Sequence, residues 1–329
     1  MAKSKTSGQD FVGILVIDKP GLPQWEAEPA GFRGPPTSHD IVQWVRRRTG
    51  QQRIGHTGTL DPFASGVLVL CLGQATRLVE YYQGHNKTYW ARVVLGTATN
   101  TYDGQGEVTD SAPLPDLDRA GIEAVLAQFR GPIQQIPPIY SAIKQGGESV
   151  HYKARRGEDV VMVPRPVTIH QLDLLAIHTQ DGRPAMLDLR ITGSAGTYIR
   201  SLAFDVGRAL GSAGHLSILR REQAGFFNLD HAYPLADLAH LTRTDDWTPY
   251  LKPPGFGLDL PAFSLTAEEI ERFGFGQKVI LTDENAQLAE AELAQGIGPD
   301  GGFLGILASL GPSQEAGGTV WKPAKWFTA

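Results

Sequence analysis

The chain carries apolar runs of two kinds, short continuous ones and alternating ones. Residues 13–18 (GILVID) and 67–72 (VLVLCL) are continuous runs of strand length, and each predicts a buried strand. Residues 87–95 (KTYWARVVL) alternate between two faces and are rich in aromatic and branched side chains, which is the pattern of a half-buried strand. Two further runs, 167–175 and 186–192, flank an Asp-Gly turn and are also predicted to be strands.

Helix signals lie between these strands. Thr37 or Ser38 can cap a helix whose first turn holds Asp40, and three arginines before Gly50 indicate where that helix ends. The mixed order of helices and strands, without a βαβ alternation, favours an α+β fold. Further helices are predicted over residues 74–82, 117–129, 198–210, 216–221 and 235–241.

The chain is long enough for two domains, because its 329 residues are about twice the usual size of one. The stretch 242–257 is polar and rich in Pro and Gly, which is typical of a linker. Short strands that indicate a small β-rich module are predicted after it, at 278–281, 303–307 and 319–321. The resulting prediction is a disordered tail, a large α+β domain and a small β-rich domain, over residues 1–10, 11–245 and 258–329.

Composition narrows the class of protein. Hydrophobic residues make up 41% and charged residues 20% of the chain, which is typical of a globular protein. The single cysteine, Cys71, excludes a disulfide framework and a zinc site built from several cysteines. The longest apolar run is far below the roughly 20 residues that a membrane helix needs. Because no targeting segment is visible either, we expect a cytoplasmic protein without membrane contact.

The net charge of −5 conceals an uneven distribution. Taken alone, a negative total argues against a nucleic-acid partner. Between residues 33 and 53, however, five arginines face a single acidic residue, and 130–165 and 200–222 carry further basic clusters. Between 259 and 300, nine acidic residues face two basic ones. The basic clusters therefore indicate a polyanionic partner for the amino-terminal two-thirds of the chain.

The loop 55–62 (GHTGTLDP) holds the candidate chemistry. The motifs of P-loop nucleotidases, zinc proteases and α/β-hydrolases, GxxxxGK[ST], HExxH and GxSxG, are absent from the sequence. Two glycines give the loop conformational freedom, and Pro62 forces Asp61 into extended geometry. A carboxylate fixed in this way can serve as a nucleophile or a base, although an aspartate before a proline is also an ordinary turn residue.

Residues 55–77 (GHTGTLDPFASGVLVLCLGQATR) resemble the catalytic motif of the TruB family of tRNA pseudouridine synthases. The tail, with GQKV, FLGI and WKP, resembles the PUA-type module that often follows. The resemblance covers nearly the whole chain and implies a mixed, mainly antiparallel sheet in the catalytic domain. Other blocks similar to the family follow in the same order, namely IDKP at 17–20, TSHD at 37–40, KTY at 87–89, IPPIYSA at 136–142, GTYIR at 196–200 and HLSILRR at 215–221.

The resemblance implies an isomerase whose catalytic residues are Asp61, Tyr89 and Arg200. Asp61 is expected to attack the target uridine or its ribose, so that the glycosidic bond breaks and the base rejoins through carbon 5. Arg200 is expected to pair with Asp61 and to keep its carboxylate ionised. Tyr89 is expected to stack on the flipped base and to help accept the carbon-5 proton. Because the reaction releases no electrons and adds no water, neither a cofactor nor a metal is expected.

The same resemblance implies which residues hold the RNA. His56 is expected to fill the gap that the extruded base leaves, and Tyr198 and Leu219 to line the base pocket. Thr59 is assigned to substrate binding as well. Lys19 is expected to contact phosphates, together with the basic residues Arg46, Arg47, Arg48, Lys144, Lys153, Arg155 and Arg156.

One further segment follows the family pattern, and another departs from it. Residues 144–165 resemble a loop that clamps the substrate stem-loop. Residues 21–36 contain an insertion relative to the short turn that the family usually has between its Lys-Pro and Thr-Ser blocks, and the role of this insertion is left open.

The expected substrate is uridine 55 in the T-arm of tRNA, and the expected protein is a monomer that needs no obligate protein partner. Two alternatives stay open. Guide-dependent ribonucleoprotein subunits share these motifs but act on RNA that a guide positions. A role in RNA binding or RNA folding without catalysis is the second alternative, and the joint presence of Asp61, Tyr89 and Arg200 argues against it.

Overall fold

The computed structural model describes most of the chain. The described residues are 11–22, 31–141, 143–145, 148–150, 153, 156, 158, 160–282, 291–313 and 317–327. The predicted tail over 1–10 lies outside them, as do the middle of the 21–36 insertion and several residues of the predicted clamping loop.

The strands of the described residues form one large sheet, one smaller sheet and two short hairpins. In chain order they are β1 Gly13–Lys19, β2 Ile54–His56, β3 Ser65–Leu72, β4 Lys87–Leu95, β5 Thr97–Thr99, β6 Val108–Ser111, β7 Gly131–Gln135, β8 Lys144–Gln145, β9 Glu148–Ser149, β10 Arg165–Gln180, β11 Arg183–Gly193, β12 Gly214–Ala224, β13 Phe227–Asn228, β14 Tyr233–Pro234, β15 Ala262–Ser264, β16 Val279–Leu281, β17 Leu293–Ile297, β18 Phe303–Pro312 and β19 Thr319–Trp326.

The large sheet has the order β14-β1-β3-β12-β4-β11-β10-β7, with β13 beside β12 and β2 beside β3. The pairs β1–β14 and β3–β12 are parallel, and the other pairs along this path are antiparallel. The predicted α+β class with a mixed, mainly antiparallel sheet is therefore confirmed. The strands predicted at 13–18, 67–72 and 87–95 are β1, β3 and β4.

Four of the described helices cover one face of this sheet. The first begins as the sequence predicts, because the Thr37 hydroxyl accepts the Asp40 N–H at 3.0 Å and the Asp40 carboxylate accepts the Thr37 N–H at 2.9 Å. It ends at Gly50, whose φ of 76° is left-handed. The α-helices of the described residues are α1 Ser38–Thr49, α2 Val79–Gln83, α3 Arg119–Ala127, α4 Ile199–Ala209, α5 Leu235–Leu238 and α6 Ala267–Gly274, and 3₁₀ turns lie at Gly73–Leu78, Leu229–His231 and Thr248–Tyr250.

Helix α4 shows how the helical layer is held on the sheet. Its apolar residues recur at helical spacing, so they form one stripe that faces the core. The alternate residues of β4 that face the same way are also buried. Between the two elements lies the main core, which includes Ile199, Leu202, Val206, Tyr89, Ala91 and Val93.

The helix predicted over 216–221 is wrong, because these residues belong to strand β12. This strand is the centre of the sheet and pairs with β4 on one side and β3 on the other. A short apolar run followed by arginines does not distinguish a helix from a buried strand. Pairing on both edges decides in favour of the strand here.

The stretch 242–257 is not a free linker, and that prediction is wrong. Trp247 within it is fully buried in the main core, and its indole N–H donates to the Thr242 carbonyl at 3.1 Å. The Lys252 N–H and carbonyl bond to Ile14 at 2.8 Å each, so the stretch extends the edge of the large sheet. Burial of one tryptophan contributes roughly 3 kcal/mol, enough to fix a polar segment in place.

The smaller sheet has the order β15-β17-β18-β19-β16 and confirms a β-rich module near the carboxyl end. Its Ile306 is fully buried in a cluster with Val16 and Val69 of the large sheet. The two sheets therefore share an apolar contact on the other face of the large sheet, where Tyr82 of α2 also packs. Among the described helices, none has both the length and the apolar character that crossing a membrane would require.

Candidate active site

A pocket of about 290 Å³ opens at the end of the large sheet where β4 begins. Its floor is the loop that carries Asp61, and its walls come from β4, β12 and the first turn of α4. Of the eight site residues predicted from the sequence, six line it, namely Asp61, Tyr89, Arg200, Tyr198, Leu219 and Thr59. His56 and Lys19 are not among its lining residues.

Asp61 and Arg200 form a two-point contact at the base of this pocket. Nη2 of Arg200 donates to Oδ1 of Asp61 at 3.0 Å, and Nε lies 2.9 Å from Oδ2. The Arg200 side chain is 6% exposed, whereas that of Asp61 is 29% exposed. The planar guanidinium thus fixes the carboxylate from behind and leaves it open towards the pocket.

Further acceptors hold the guanidinium of Arg200. Its Nη1 donates to the Thr101 carbonyl at 3.0 Å, and its Nη2 donates to the Tyr140 carbonyl at 2.9 Å. A second carboxylate, Asp103, places Oδ2 at 3.4 Å from Nη1. Asp103 is fixed in turn by the Thr101 hydroxyl, which donates to its Oδ1 at 2.7 Å. Arg200 is therefore shared by two carboxylates, of which the sequence predicted one.

The electrostatics of Asp61 differ from the sequence prediction. Burial raises the pKa of the Asp61 carboxyl above its usual range, and the negative charge of Asp103 adds to the rise. Arg200 and, more weakly, Lys19 oppose that shift in the pKa. Arg200 thus favours the ionised form, as expected, but burial has the larger effect on the pKa.

Arg221 holds the loop that precedes Asp61. Its Nε donates to the Val67 carbonyl at 2.7 Å and its Nη2 to the Gly58 carbonyl at 3.0 Å, and the residue is 2% exposed. The hydroxyl of Ser38, at the start of α1, accepts the Leu60 N–H at 2.8 Å. Because the sequence analysis placed Arg221 on a helix, it gave no sign that this arginine faces the loop.

Lys19 does not take the phosphate-contacting position predicted from the sequence. It is fully buried, and its Nζ donates to the carbonyls of Pro20, Pro62 and Ala64 at 3.0, 2.9 and 2.7 Å. All three ammonium donors are thus used inside the protein. Burial lowers the pKa of Lys19 to about 7, and the neighbouring charge of Asp61 opposes that shift. Lys19 fixes the backbone on the far side of Asp61, so the prediction is corrected.

Tyr89, Tyr198 and Leu219 give the pocket flat apolar walls. Tyr89 lies on β4 and Leu219 on β12, and they are 9% and 5% exposed. Tyr198 precedes the first residue of α4 in an extended conformation. Burial raises the pKa of the Tyr198 phenol, so the hydroxyl stays protonated. Walls of this kind can accommodate a planar ring.

Of His56 and Thr59, the pocket lining includes only Thr59. His56 is on β2, and its Nδ1 is buried without a hydrogen-bond partner among the described residues. Burial, with the charge of Arg221, lowers the pKa of its imidazole, which is therefore neutral at physiological pH. Thr59 is exposed and lines the pocket.

Lys87 is a second pocket residue to which the sequence analysis gave no role. Its Nζ donates to the Gln83 and His85 carbonyls at 2.6 Å each. Burial and the charge of Arg221 lower the pKa of Lys87 to about 8. Within the described part of the chain, no three His, Cys, Asp or Glu side chains come together in a way that would hold a metal ion.

Solved structures share this architecture. A chain from a structure of an H/ACA RNP bound to a substrate RNA containing 2'-deoxyuridine aligns with a TM-score of 0.68 and 22% identity, over 97% of this chain and 86% of that one. A chain of a Cbf5-Nop10-Gar1 complex aligns with a TM-score of 0.66 and 23% identity, over 97% and 94%. The chain therefore shares the fold of these two solved structures.

Sequence comparison narrows the assignment. The family model for the amino-terminal domain of TruB family pseudouridylate synthases matches residues 46–199. The tRNA pseudouridine synthase B of Arthrobacter sp. (strain FB24) is 38% identical over 304 residues, which is 91% of this chain and 93% of the relative. That of Synechococcus sp. (strain WH7803) is 42% identical over 298 residues, or 90% and 92%. The chain belongs to the TruB family and is a pseudouridine synthase, an isomerase.

Proposed function

We propose that the protein converts uridine 55 in the T-arm of tRNA to pseudouridine, with Asp61 as the nucleophile. The observation that carries this proposal is the Asp61–Arg200 pair, which presents one partly open carboxylate to the pocket. The relatives from Arthrobacter and Synechococcus are named tRNA pseudouridine synthase B, which supports tRNA as the substrate.

The proposed reaction conserves every atom of the uridine. The Asp61 carboxylate attacks the base or the ribose, and the bond between N1 of the base and C1' of the ribose breaks. The base then turns within the pocket and forms a new bond between its C5 and C1'. The proton leaves C5, N1 gains a proton, and Asp61 is released unchanged. No redox partner enters this balance.

The pocket walls have separate parts in this scheme. Tyr89 stacks on the flipped base and helps to take the C5 proton, and Tyr198 and Leu219 keep the base in plane while it turns. The neutral imidazole of His56 fills the gap that the flipped base leaves in the RNA. Thr59 contacts the substrate at the pocket mouth.

Phosphate binding is assigned to exposed arginines near the site. Arg33, Arg47 and Arg53 are exposed and lie close in sequence to the catalytic loop. They give this part of the chain the positive charge that an RNA backbone requires, although the whole protein is acidic.

We further propose that the protein works in the cytoplasm as a monomer, and that residues 258–329 form a PUA-like domain.

The proposal is tested with a T-arm stem-loop that carries tritium at C5 of its uridines. Wild-type protein alone releases tritium, and the Asp61→Asn variant releases none. Asp110→Asn serves as the matched control, because Asp110 lies exposed on β6 and the same change there leaves release at the wild-type rate. Full activity of Asp61→Asn would overturn the assignment of the nucleophile.

A second candidate is a guide-dependent activity, because the aligned solved structures are of H/ACA ribonucleoproteins and their components. In that case the protein needs a guide RNA to act, and the bare stem-loop releases no tritium. RNA binding without catalysis is distinguished by adding a guide RNA to the same assay, since wild type and Asp61→Asn would then both release no tritium with or without the guide.

A further inference from the structure

The segment from Gln135 to Tyr140 contacts the pocket helix at several points, of which only the bond from Arg200 to the Tyr140 carbonyl has been given a role so far. It leaves the end of β7 and passes beside the amino end of α4. Its residues 136–140 belong to one of the sequence blocks that follow the family order, and Gln135 comes directly before that block. Its contacts fall on the short stretch of chain that carries Tyr198 and Arg200.

The first of these contacts is a pair of hydrogen bonds between the Gln135 side chain and the backbone N–H and carbonyl of Tyr198. Oε1 of Gln135 accepts the Tyr198 N–H at 2.7 Å, and its Nε2 donates to the Tyr198 carbonyl at 2.9 Å. Gln135 is 1% exposed, so no water competes for these bonds. Both the donor and the acceptor of one carboxamide are used on one residue.

This pairing takes the part that the N3 side chain plays in a capping box, because it accepts the N–H of the residue before the helix. Tyr198 is the residue before α4, and its side chain makes no capping hydrogen bond within the described residues. The Tyr198 carbonyl also accepts the Leu202 N–H at 3.1 Å, as the first bond of the helix. The Tyr198 N–H is served by Gln135. Residues that normally cap helices are small and polar, and a tyrosine selected for its ring cannot do so.

Two more bonds fix the same helix end to the same segment. The Ser201 hydroxyl donates to the Ile136 carbonyl at 2.7 Å, and the Arg200 Nη2 donates to the Tyr140 carbonyl at 2.9 Å. The first turn of α4 therefore takes its position from this segment. Arg200 lies two residues beyond Tyr198, so a shift of the Tyr198 peptide displaces both the pocket ring and the guanidinium that holds Asp61.

We infer that Gln135 is a positioning residue for catalysis, and that its carboxamide sets the Tyr198 ring and the Arg200 guanidinium against Asp61 through the Tyr198 peptide. This inference rests on the proposed function of the site. Since Gln135 is buried behind the pocket and does not line it, its removal affects the chemical step more than the affinity for RNA.

The test compares Gln135→Met with Gln134→Met. Methionine keeps the length of the side chain and loses both hydrogen bonds, and Gln134 is the exposed neighbour on the same strand. At saturating T-arm stem-loop, we expect the single-turnover rate of Gln135→Met to fall by about tenfold or more, because a small misplacement of reacting groups is costly. The Kd for the stem-loop stays within about threefold of the wild-type value, which separates chemistry from binding.

Gln135→Glu adds a readout that depends on pH. An ionised glutamate accepts the Tyr198 N–H but repels the Tyr198 carbonyl. A protonated glutamate offers an acceptor and an O–H donor, as the glutamine does. The ratio of the Gln135→Glu rate to the wild-type rate therefore rises as the pH falls. A flat ratio would contradict the inference, and this variant also serves if Gln135→Met does not fold.

Hydrogen exchange over residues 198–202 gives a readout independent of activity. These amides exchange faster in Gln135→Met than in Gln134→Met. If wild-type protein is active and Gln135→Met matches Gln134→Met in rate and exchange, the inference about Gln135 is overturned while the proposed function stands. If wild-type protein releases no tritium, the proposed function fails. Unchanged exchange would then overturn the positioning role as well, and faster exchange would retain it.

Discussion

Arg200 stands between two carboxylates, with its Nη2 donating to Asp61 at 3.0 Å and its Nη1 lying 3.4 Å from Asp103. Asp61 faces the pocket and Asp103 is buried behind the arginine. The negative charge of Asp103 therefore has two opposite effects on Asp61. Asp103 helps to fix the arginine in place, and it also makes ionisation of Asp61 harder.

Removal of the charge of Asp103 is the first prediction. In Asp103→Asn the amide keeps the shape of the side chain, while Nη1 of Arg200 loses the carboxylate that lies 3.4 Å away. We expect kcat to fall by about tenfold, because Arg200 is then less firmly oriented towards Asp61. Single-turnover tritium release measures this effect, and Asp110→Asn is the control. A rate equal to wild type would show that Asp103 has no part in orienting Arg200.

The pH dependence of activity follows from the raised pKa of Asp61. The ionised carboxylate is the reactive form, so activity is lost as the pH falls through the pKa of Asp61 in the folded protein. Because burial raises that pKa, the acid limb of kcat/KM lies above the ordinary carboxyl range near 4. A pH–rate profile on the stem-loop measures it, and an acid limb at or below about 4 would refute the raised pKa.

The pH–rate profile of Asp103→Asn gives a second test, because the direction in which the acid limb shifts is predicted. Asp103 raises the pKa of Asp61 through its negative charge, so its neutral replacement shifts the acid limb to lower pH. The control is again Asp110→Asn, for which the limb stays in place. A shift of the limb to higher pH would contradict the arrangement of charges around Arg200.

Lys19 is predicted to act on stability rather than on RNA binding. Lys19→Met leaves the Pro20, Pro62 and Ala64 carbonyls without their donor, and we expect a loss of roughly 2–3 kcal/mol in the free energy of unfolding. Urea denaturation measures it. The salt dependence of RNA affinity stays unchanged, since the buried ammonium contacts no phosphate.

Arg47→Gln is expected to change RNA binding and not stability, which is the opposite of the result expected for Lys19→Met. Arg47 is exposed on α1, so its loss leaves stability nearly unchanged. If it contacts phosphate, the slope of log Kd against log salt falls by about 0.7–0.9, the value for one backbone charge on single-stranded or duplex nucleic acid. A reduced slope for Lys19→Met instead would restore the role that the sequence predicted for that lysine.

Local patterns in the sequence predicted the elements that depend on local chemistry. The Thr37–Asp40 capping box fixed the start of α1, and the alternation along β4 matched its burial residue by residue. The motif placed Asp61, Arg200, Tyr89, Tyr198 and Leu219 in one pocket, and the structure brings them together.

The features that the sequence did not predict depend on contacts between residues far apart in the chain. The sequence predicts a phosphate contact for Lys19 and a helical position for Arg221, yet both are buried and donate to backbone carbonyls that are distant in the sequence. Asp103 lies beside Gly104 and Gly106, which predict a turn but do not indicate that its carboxylate lies near Arg200. Strand β12 was mistaken for a helix because its partners, β3 and β4, are far away in sequence.

The measurement that tests the central claim most directly uses a T-arm stem-loop labelled with tritium at C5 of uridine 55 alone. With wild-type protein and no other component, we predict release of one tritium per RNA at full conversion, and no release with Asp61→Asn. Release by Asp61→Asn at the wild-type rate, or a wild-type protein that modifies a different uridine and leaves this label in place, would contradict the account.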